Sequence, residues 1–88
     1  MRKEELEKVL KALANRRRLS ILAYLKRVGK AKVGDIAFEL RLSLAATSRH
    51  LVILERTGIL DKEQRSTEAF YCLADPCNLF VKELTVEL

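Results

Sequence analysis

The sequence predicts a mainly helical α+β domain with about five helices and one β-hairpin. Apolar residues recur at helical spacing in several separate segments, which indicates amphipathic helices. Two strand-like segments, residues 59–64 and 67–73, flank the polar sequence Gln64-Arg65-Ser66-Thr67, which predicts a hairpin. The chain has 88 residues, so we expect one domain spanning residues 1–88.

Charge is distributed unevenly along the chain. The net charge is +5, and twelve of the 17 basic residues lie in residues 14–65 beside only five of the 12 acidic ones. An excess of positive charge in the middle of the chain favours a polyanionic partner, although basic residues also serve merely to keep a surface solvated. No apolar run approaches the roughly 20 residues that a membrane span requires. The first dozen residues do not resemble a signal peptide either, and we expect a cytoplasmic protein without membrane contact.

The first two predicted helices cover residues 3–14 and 16–28. In the first, apolar residues form a stripe at helical spacing on a Lys- and Glu-rich background. Asn15 is a plausible N-cap for the second helix, and Gly29 a plausible stop. Three arginines, residues 16–18, crowd the first turn of that second helix, where the helix dipole disfavours cations. They suggest phosphate contacts or a structural ion pair, or else a solvated basic turn.

The segment from Leu42 to Leu60, with a shorter helix just before it, organises the chain. After a short predicted strand, residues 30–33, the sequence VGDIAFEL predicts a short amphipathic helix. Ser43 is a good N-cap for a second helix that Gly58 ends. At 100° per residue, one side of this helix gathers Leu44, Thr47, Leu51 and Leu54, and the other gathers Ala45, Arg49, Val52 and Arg56. Small residues and arginines on one face suit a DNA major groove, so this is a predicted helix-turn-helix.

The pattern SxxxxSRHLxxLxxxGIL, from Ser43 to Leu60, resembles the ArsR family of winged helix-turn-helix repressors. The resemblance extends upstream to LKALANRRRLSILAYL and downstream to a hairpin that ends in AFYCL, and so covers almost the whole chain. It implies a homodimer that binds double-stranded DNA, with the second helix of the motif in the major groove and the hairpin, or wing, on the adjacent backbone.

Candidate DNA contacts lie mainly on the predicted recognition helix. Arg49 is suited to the paired acceptors of guanine, and Ser43 and Ser48 can bond phosphates. His50 either bonds a phosphate or packs near the turn. Leu44, where the family often has a polar residue, either belongs to the core or touches a thymine methyl. The complete predicted set is Ser43, Ala45, Ala46, Ser48, Arg49, His50, Arg56, Lys62 and Arg65.

The two ends of the chain are the predicted dimer interface. Asp75-Pro76 predicts the start of a last helix that runs towards Leu88. Its apolar residues are too many for a solvated tail, unless the tail caps the core of its own domain. In the resembling family the terminal helices form the dimer. The predicted interface residues are Leu6, Val9, Leu10, Leu13, Leu79, Phe80 and Leu84.

Catalysis, metal binding and cofactors are not expected. The sole histidine lies within the recognition helix, and no glycine-rich phosphate loop is present. One metal site of the resembling family has the sequence CVCD, where this chain has Lys32-Val33-Gly34-Asp35. The other uses carboxylates and histidines on the last helix, and that helix has no histidine here. Cys72 and Cys77 form no CxxC motif and are expected to be reduced thiols.

The sequence therefore predicts a homodimeric, sequence-specific DNA-binding regulator, most simply a repressor, whose effector is unknown. Two alternatives remain. One is a winged helix that binds another protein and not specific DNA, which the apolar Leu44 and Val52 favour. The other is a regulator switched by oxidation of Cys72 or Cys77, of which Cys77, near a helix N-terminus, is the more reactive candidate.

Overall fold

The structure is mainly helical and contains one small sheet of three strands. The computed structural model describes residues 2–74 and 79–88. The elements are α1 (Lys3–Leu13), α2 (Arg16–Val28), β1 (Lys30–Lys32), α3 (Val33–Leu40), α4 (Leu44–Arg56), β2 (Leu60–Arg65), β3 (Glu68–Leu73) and α5 (Leu79–Leu84). The predicted winged helix-turn-helix architecture is confirmed, with α3 and α4 as the motif and β2–β3 as the wing.

The predicted caps form where the sequence places them. The Asn15 side chain accepts a hydrogen bond from the Arg18 backbone N–H at 3.1 Å, and Ser43 Oγ accepts one from Ala46 N–H at 3.0 Å. Helix α4 ends at Gly58, whose φ is +79°. The Gly58 and Ile59 N–H groups donate to the carbonyls of Glu55 and Leu54. This pair of bonds is a Schellman motif, which glycine accommodates without steric penalty.

The sheet is antiparallel, with strand order β1-β3-β2. Tyr71, at the centre of β3, is the register partner of Ala31 on one side and Lys62 on the other. Both Ala31 and Tyr71 are buried. The short strand predicted before the motif therefore holds the wing against the helical part of the domain.

A continuous apolar core lies beneath α4. Thr47, Leu51 and Leu54 are fully buried, and the Thr47 hydroxyl donates to the Ser43 carbonyl at 2.8 Å. The core side chains come from every helix, so the orientation of α4 is set by packing of its inner side against several other elements. Within the described residues, this continuous core is formed by Val9, Ala12, Leu13, Ile21, Leu22, Leu25, Ala31, Ile36, Leu51, Leu54, Ile59, Leu60, Tyr71 and Val81.

The last helix ends before the predicted Leu88. Its predicted start at Asp75-Pro76 lies outside the described residues, and its helical conformation ends at Leu84, with a turn at residues 85–87. Lys26 Nζ donates to the carbonyls of Thr85 and Val86, at 3.3 and 2.9 Å. Because a side chain from α2 binds these carbonyls, the chain does not need further helical turns to satisfy them.

Candidate nucleic-acid interface

Helix α4 presents two different faces. One side is the buried row of Thr47, Leu51 and Leu54. On the other side, Ala45, Ser48, Arg49 and Arg56 are exposed, whereas Ala46, His50 and Val52 are half-buried. The structure thus brings most of the predicted contact residues of this helix to one accessible surface. The small Ala45 side chain leaves room for close approach, and the two arginines carry charge.

The first turn of α4 adds a second kind of anion-binding group. Ser43 Oγ is engaged as an acceptor by the Ala46 N–H, which leaves its own O–H to donate. Unpaired N–H groups at a helix N-terminus attract phosphates, because the helix dipole is positive there. Ser43 and the start of α4 can therefore share one phosphate.

Leu44 does not belong to the core. Its exposed fraction is 61%, although the helical wheel grouped it with Thr47 and Leu51. A helical wheel assumes that one face of the helix is packed along its full length. At the start of α4, however, no other part of the described structure buries Leu44. Of the two predicted roles, burial in the core is wrong, and contact with a thymine methyl stays a prediction.

Of the three arginines at the start of α2, Arg18 binds groups within its own chain. Its Nε donates to the Ala12 carbonyl at 2.6 Å, and one terminal nitrogen donates to the Lys11 carbonyl at 3.1 Å. The guanidinium therefore closes the C-terminal end of α1, where the helix dipole favours a cation. This partner was not among the predicted alternatives, since the group it binds is backbone and comes from another helix. Arg16 and Arg17 are exposed.

His50 lies against the same guanidinium. The other terminal nitrogen of Arg18 is 3.3 Å from His50 Nδ1. The pKa of His50 is lowered, first by burial and then by the positive charges of Arg18, Arg17 and Arg49. The two predicted alternatives, phosphate contact and packing near the turn, are compatible, because this contact engages only one of the two ring nitrogens.

The turn between α3 and α4 is strained at one residue. Arg41 has φ +55° and ψ +45°, in the left-handed region. The N–H groups of Arg41 and Leu42 donate to the carbonyls of Phe38 and Ala37, so this turn is also a Schellman motif, with arginine in the position that usually holds glycine. The sequence analysis did not identify Arg41, because the spacing of apolar residues carries no information about the backbone conformation of a single turn residue.

Phe38 is the other residue that sequence reasoning missed. It lies on α3 and its exposed fraction is 86%. The signal was present in the sequence, since the spacing of Val33, Ile36, Ala37 and Leu40 places the core on the opposite face of this helix.

Arg65, one of the two cations of the wing, is held in an internal ion pair. Arg65 Nε is 2.5 Å from Glu63 Oε1, and Lys30 Nζ is 2.6 Å from Glu63 Oε2. The Arg65 guanidinium also lies over the Phe70 ring, 5.8 Å from its centroid. These two cations lower the pKa of Glu63 through hydrogen bonds. Lys62, the other predicted wing contact, is exposed.

The predicted dimer surface is narrower than the sequence suggested. Val9 and Leu13 are each only 7% exposed because they pack in the core of their own chain. Leu6 is half-buried, and Leu10 and Leu84 are 44% and 53% exposed. The side chains of Leu79 and Phe80 lie outside the described part of the structure. Among the described residues, the accessible apolar side chains at the two ends are therefore Leu6, Leu10 and Leu84, together with Val86 and Leu88.

The remaining predictions concern the two cysteines, metal binding and membrane contact, and part of the sequence they refer to lies outside the described residues. Cys72 is a half-buried free thiol on β3, whereas Cys77 lies outside the described residues. Within residues 2–74 and 79–88, no cluster of three or more His, Cys, Asp or Glu side chains is placed to hold a metal ion. In the same ranges, no helix combines the length and apolar character that crossing a membrane requires.

The fold, with its exposed basic helix, defines the class of winged helix-turn-helix proteins. The family model described as "Bacterial regulatory protein, arsR family" matches residues 15–62, more than half of the chain. The protein belongs to this family, as the resemblance in its recognition helix predicted.

Individual relatives agree with this assignment. The chain is 39% identical over 66 residues to the transcriptional activator HlyU of Vibrio cholerae, covering 75% of this chain but only 60% of HlyU. The structure of reduced HlyU from the same organism has a TM-score of 0.80 at 34% identity, covering 97% of this chain and 85% of that one.

Two further solved structures are similar. The homodimeric winged helix-turn-helix DNA-binding domain of Mb0332 from Mycobacterium bovis has a TM-score of 0.81 at 31% identity, covering 94% of this chain and 73% of that one. The antimony-specific transcriptional repressor AntR has a TM-score of 0.76 at 32% identity, covering 94% of this chain and 75% of that one.

Proposed function

We propose that the protein is a sequence-specific regulator of transcription that binds double-stranded DNA in the cytoplasm as a homodimer. The exposed face of α4 carries this proposal. Arg49 and Arg56 project from it beside Ala45, and no acidic side chain of the described residues lies within ion-pairing distance of either arginine. Arginines without an acidic partner, on a helix whose opposite face is packed in the core, are suited to bind a polyanion.

The proposed contacts divide by chemistry. Arg49 reads a guanine edge in the major groove, because its fork of N–H donors matches the O6 and N7 acceptors. The Ser43 hydroxyl, Ser48, His50 and the N-terminus of α4 bind phosphates and fix the register. Arg56 adds charge at the end of the helix, and Lys62 and Arg65 on the wing contact the neighbouring backbone. Ala45 and Ala46 allow the helix to approach closely.

We propose a twofold dimer through the outer face of α1 and the C-terminal segment. The support is the exposed Leu10 and Leu84 on a small chain, and a relative described as a homodimeric domain. Two recognition helices must then lie about 34 Å apart to reach successive major grooves. Sedimentation at micromolar concentration should show a dimer that Leu10→Glu dissociates and that Lys8→Glu, an exposed change on the same helix, leaves intact. A parent protein that sediments only as a 10 kDa species would refute the dimer.

Repression is the direction that we propose for the regulator. A dimer that covers two turns of a promoter competes with polymerase without needing any further surface. AntR is described as a repressor and HlyU as an activator, so the relatives do not decide between the directions. A promoter-reporter assay with the selected operator should show lower expression when the protein is present.

Selection of duplexes from a random pool, followed by a salt titration of the selected sequence, tests DNA binding directly. We expect one enriched sequence with twofold symmetry and an affinity that falls as salt rises, because bound counterions are released. Equal affinity for selected and scrambled duplexes would show that binding is not sequence-specific.

Binding to another protein is the second candidate function. The exposed Phe38 and Leu44, on α3 and at the start of α4, favour it, since large apolar side chains on a surface often mark contacts between proteins. Phe38→Ser should leave operator affinity unchanged if the protein is a DNA-binding regulator. Enrichment of no duplex from the random pool would favour the second candidate.

A further inference from the structure

Arg18 lies where three helices meet. Its backbone N–H is capped by Asn15 in the first turn of α2. Its guanidinium spans two neighbours, with Nε and one terminal nitrogen on the Ala12 and Lys11 carbonyls of α1, and the other terminal nitrogen on His50 of α4. One side chain therefore connects the end of the first helix to the middle of the recognition helix.

The contact with His50 fixes the state of the imidazole. A guanidinium can only donate hydrogen bonds, because it carries no acceptor and stays protonated. His50 Nδ1 must therefore be the acceptor at 3.3 Å, which means that Nδ1 carries no proton. The ring hydrogen of the neutral imidazole is then on Nε2.

The surrounding charges favour the same state. The pKa of His50 is lowered first by burial and then by the positive charges of Arg18 and Arg17 from α2 and of Arg49 from its own helix. A proton on Nδ1 would add a further positive charge to this cluster and would break the bond from Arg18. Near neutral pH the ring is therefore an uncharged N–H donor.

We propose that Arg18 is a positioning residue for the DNA-binding face, holding His50 so that its Nε2–H donates to a phosphate oxygen of the bound duplex. This inference rests on the proposed DNA-binding function. Closing the end of α1 uses only Nε and one terminal nitrogen of Arg18, and the remaining nitrogen is the one that serves His50. A lysine at this position retains the charge but cannot hold both helices, because its donors radiate from one atom.

The tautomer of His50 can be measured in the unmodified protein without DNA. His50 is the sole histidine of the chain, so long-range ¹H–¹⁵N correlation spectra of the imidazole contain one ring only. At pH 7.5 we expect the Nε2–H tautomer. A predominantly Nδ1–H ring, or an equal mixture of the two forms, would overturn the inference.

Two charge-conserving variants then separate positioning from charge. Arg18→Lys should abolish the tautomer preference and lower affinity for the selected duplex about tenfold, the effect of losing one charge-assisted hydrogen bond. Arg17→Lys makes the same exchange one residue earlier, at an exposed side chain, and should change neither. If Arg18→Lys lowers only the melting temperature, Arg18 merely caps α1 and the inference is wrong. If Arg18→Lys does not fold, the spectrum of the parent decides.

A His50→Phe background tests whether Arg18 acts through the imidazole. In that background Arg18→Lys should cost little further affinity, since the ring nitrogen that it serves is absent. A loss as large as in the parent would show that Arg18 acts by another route, and would refute the inference. A parent that selects no duplex would instead refute the proposed function, which distinguishes the two failures.

Discussion

The recognition helix α4 and the β2–β3 wing both carry arginines at the surface, but they treat positive charge differently. On α4, Arg49 and Arg56 are exposed, and no acidic group of the described residues pairs with them. On the wing, Glu63 binds Arg65 and Lys30 at the same time. The arginines of α4 are therefore available to a partner, whereas Arg65, the arginine of the wing, is already paired with Glu63.

This difference predicts a division of labour in binding. A cation without an internal partner gains the full benefit of a phosphate or base contact and releases counterions when it binds. A cation held by a carboxylate must first give up that pair, so its net gain is smaller. The helix should therefore supply both affinity and specificity, whereas the wing should be a weak and sequence-independent grip.

The largest expected effect is at Arg49. Arg49→Ala should lower affinity for the selected duplex by about 1–3 kcal/mol, roughly 5- to 150-fold, and relax the preference for one base pair. Arg65→Ala on the wing is the comparison, and it should weaken all sequences alike, by less. Gel shifts with the selected duplex and with single-base variants measure both. Equal losses on specific and random DNA in both variants would refute the division.

The next effect is at Glu63, and its direction is a gain. Glu63→Gln should release Arg65 and Lys30 for phosphates, raise affinity for any duplex a few-fold, and steepen the logarithmic salt dependence by about one unit for each cation that engages a phosphate. Asp61→Asn is the matched control, because it removes one negative charge from the same strand without breaking an ion pair within the described residues. The contrast between helix and wing fails if the two variants have the same salt dependence.

Local signals made the helices predictable. Helices α2 and α3 begin and end at the residues that their caps and periodicity indicated, and Ser43 and Gly58 bound α4 as expected. These signals act over three or four residues, so a sequence contains them. The two wing strands and β1 were also predicted as strand segments, within one residue of their observed ends, but their register was not predicted.

Contacts between distant segments were not predictable in the same way. The Arg18 guanidinium binds carbonyls of α1, and Glu63 binds a lysine 33 residues away. Both depend on how the helices and the sheet pack, which periodicity does not report. Packing is also why Leu44 was wrongly grouped with the core. For the same reason, Val9 and Leu13 are buried in their own chain rather than exposed for a partner.

A smaller effect on stability is expected from backbone strain in the turn before α4 and in the turn of the wing. Arg41, before α4, and Ser66, in the wing turn, are non-glycine residues with positive φ, +55° and +57°. Arg41→Gly should be more stable than Arg41→Ala by about 1 kcal/mol, because only alanine keeps the Cβ that clashes in the left-handed region. Denaturant midpoints of the two variants measure the relief of backbone strain less the larger chain entropy that glycine loses on folding. Equal midpoints would mean that Arg41 relaxes out of this conformation in solution.

The smallest expected effect is the response of stability to acid, which differs between the regions in its pH window. The pKa of His50 is lowered from 6.5 by burial and neighbouring arginines, so the unfolded chain binds a proton more readily than the folded one. The contribution of His50 to the free energy of unfolding is therefore fully present above pH 6.5 and decreases as the pH falls from there to the pKa of the folded state. The pKa of Glu63 is lowered from 4.5 by hydrogen bonds from Lys30 and Arg65, so its contribution is complete above pH 4.5 and is lost below.

Thermal melts at half-unit steps from pH 7.5 to pH 3 can separate these two windows. His50→Gln should remove part of the decrease below pH 6.5 and leave the acid limb unchanged, whereas Glu63→Gln should flatten only the region below pH 4.5. The reason is that the helix concentrates positive charge against a titrating imidazole, and the wing stabilises a carboxylate with two cations. If His50→Gln melts with the same pH dependence as the parent between pH 6.5 and pH 5, the arginine cluster does not hold the imidazole neutral. The contrast between an unneutralised helix and a neutralised wing would then lose its thermodynamic support.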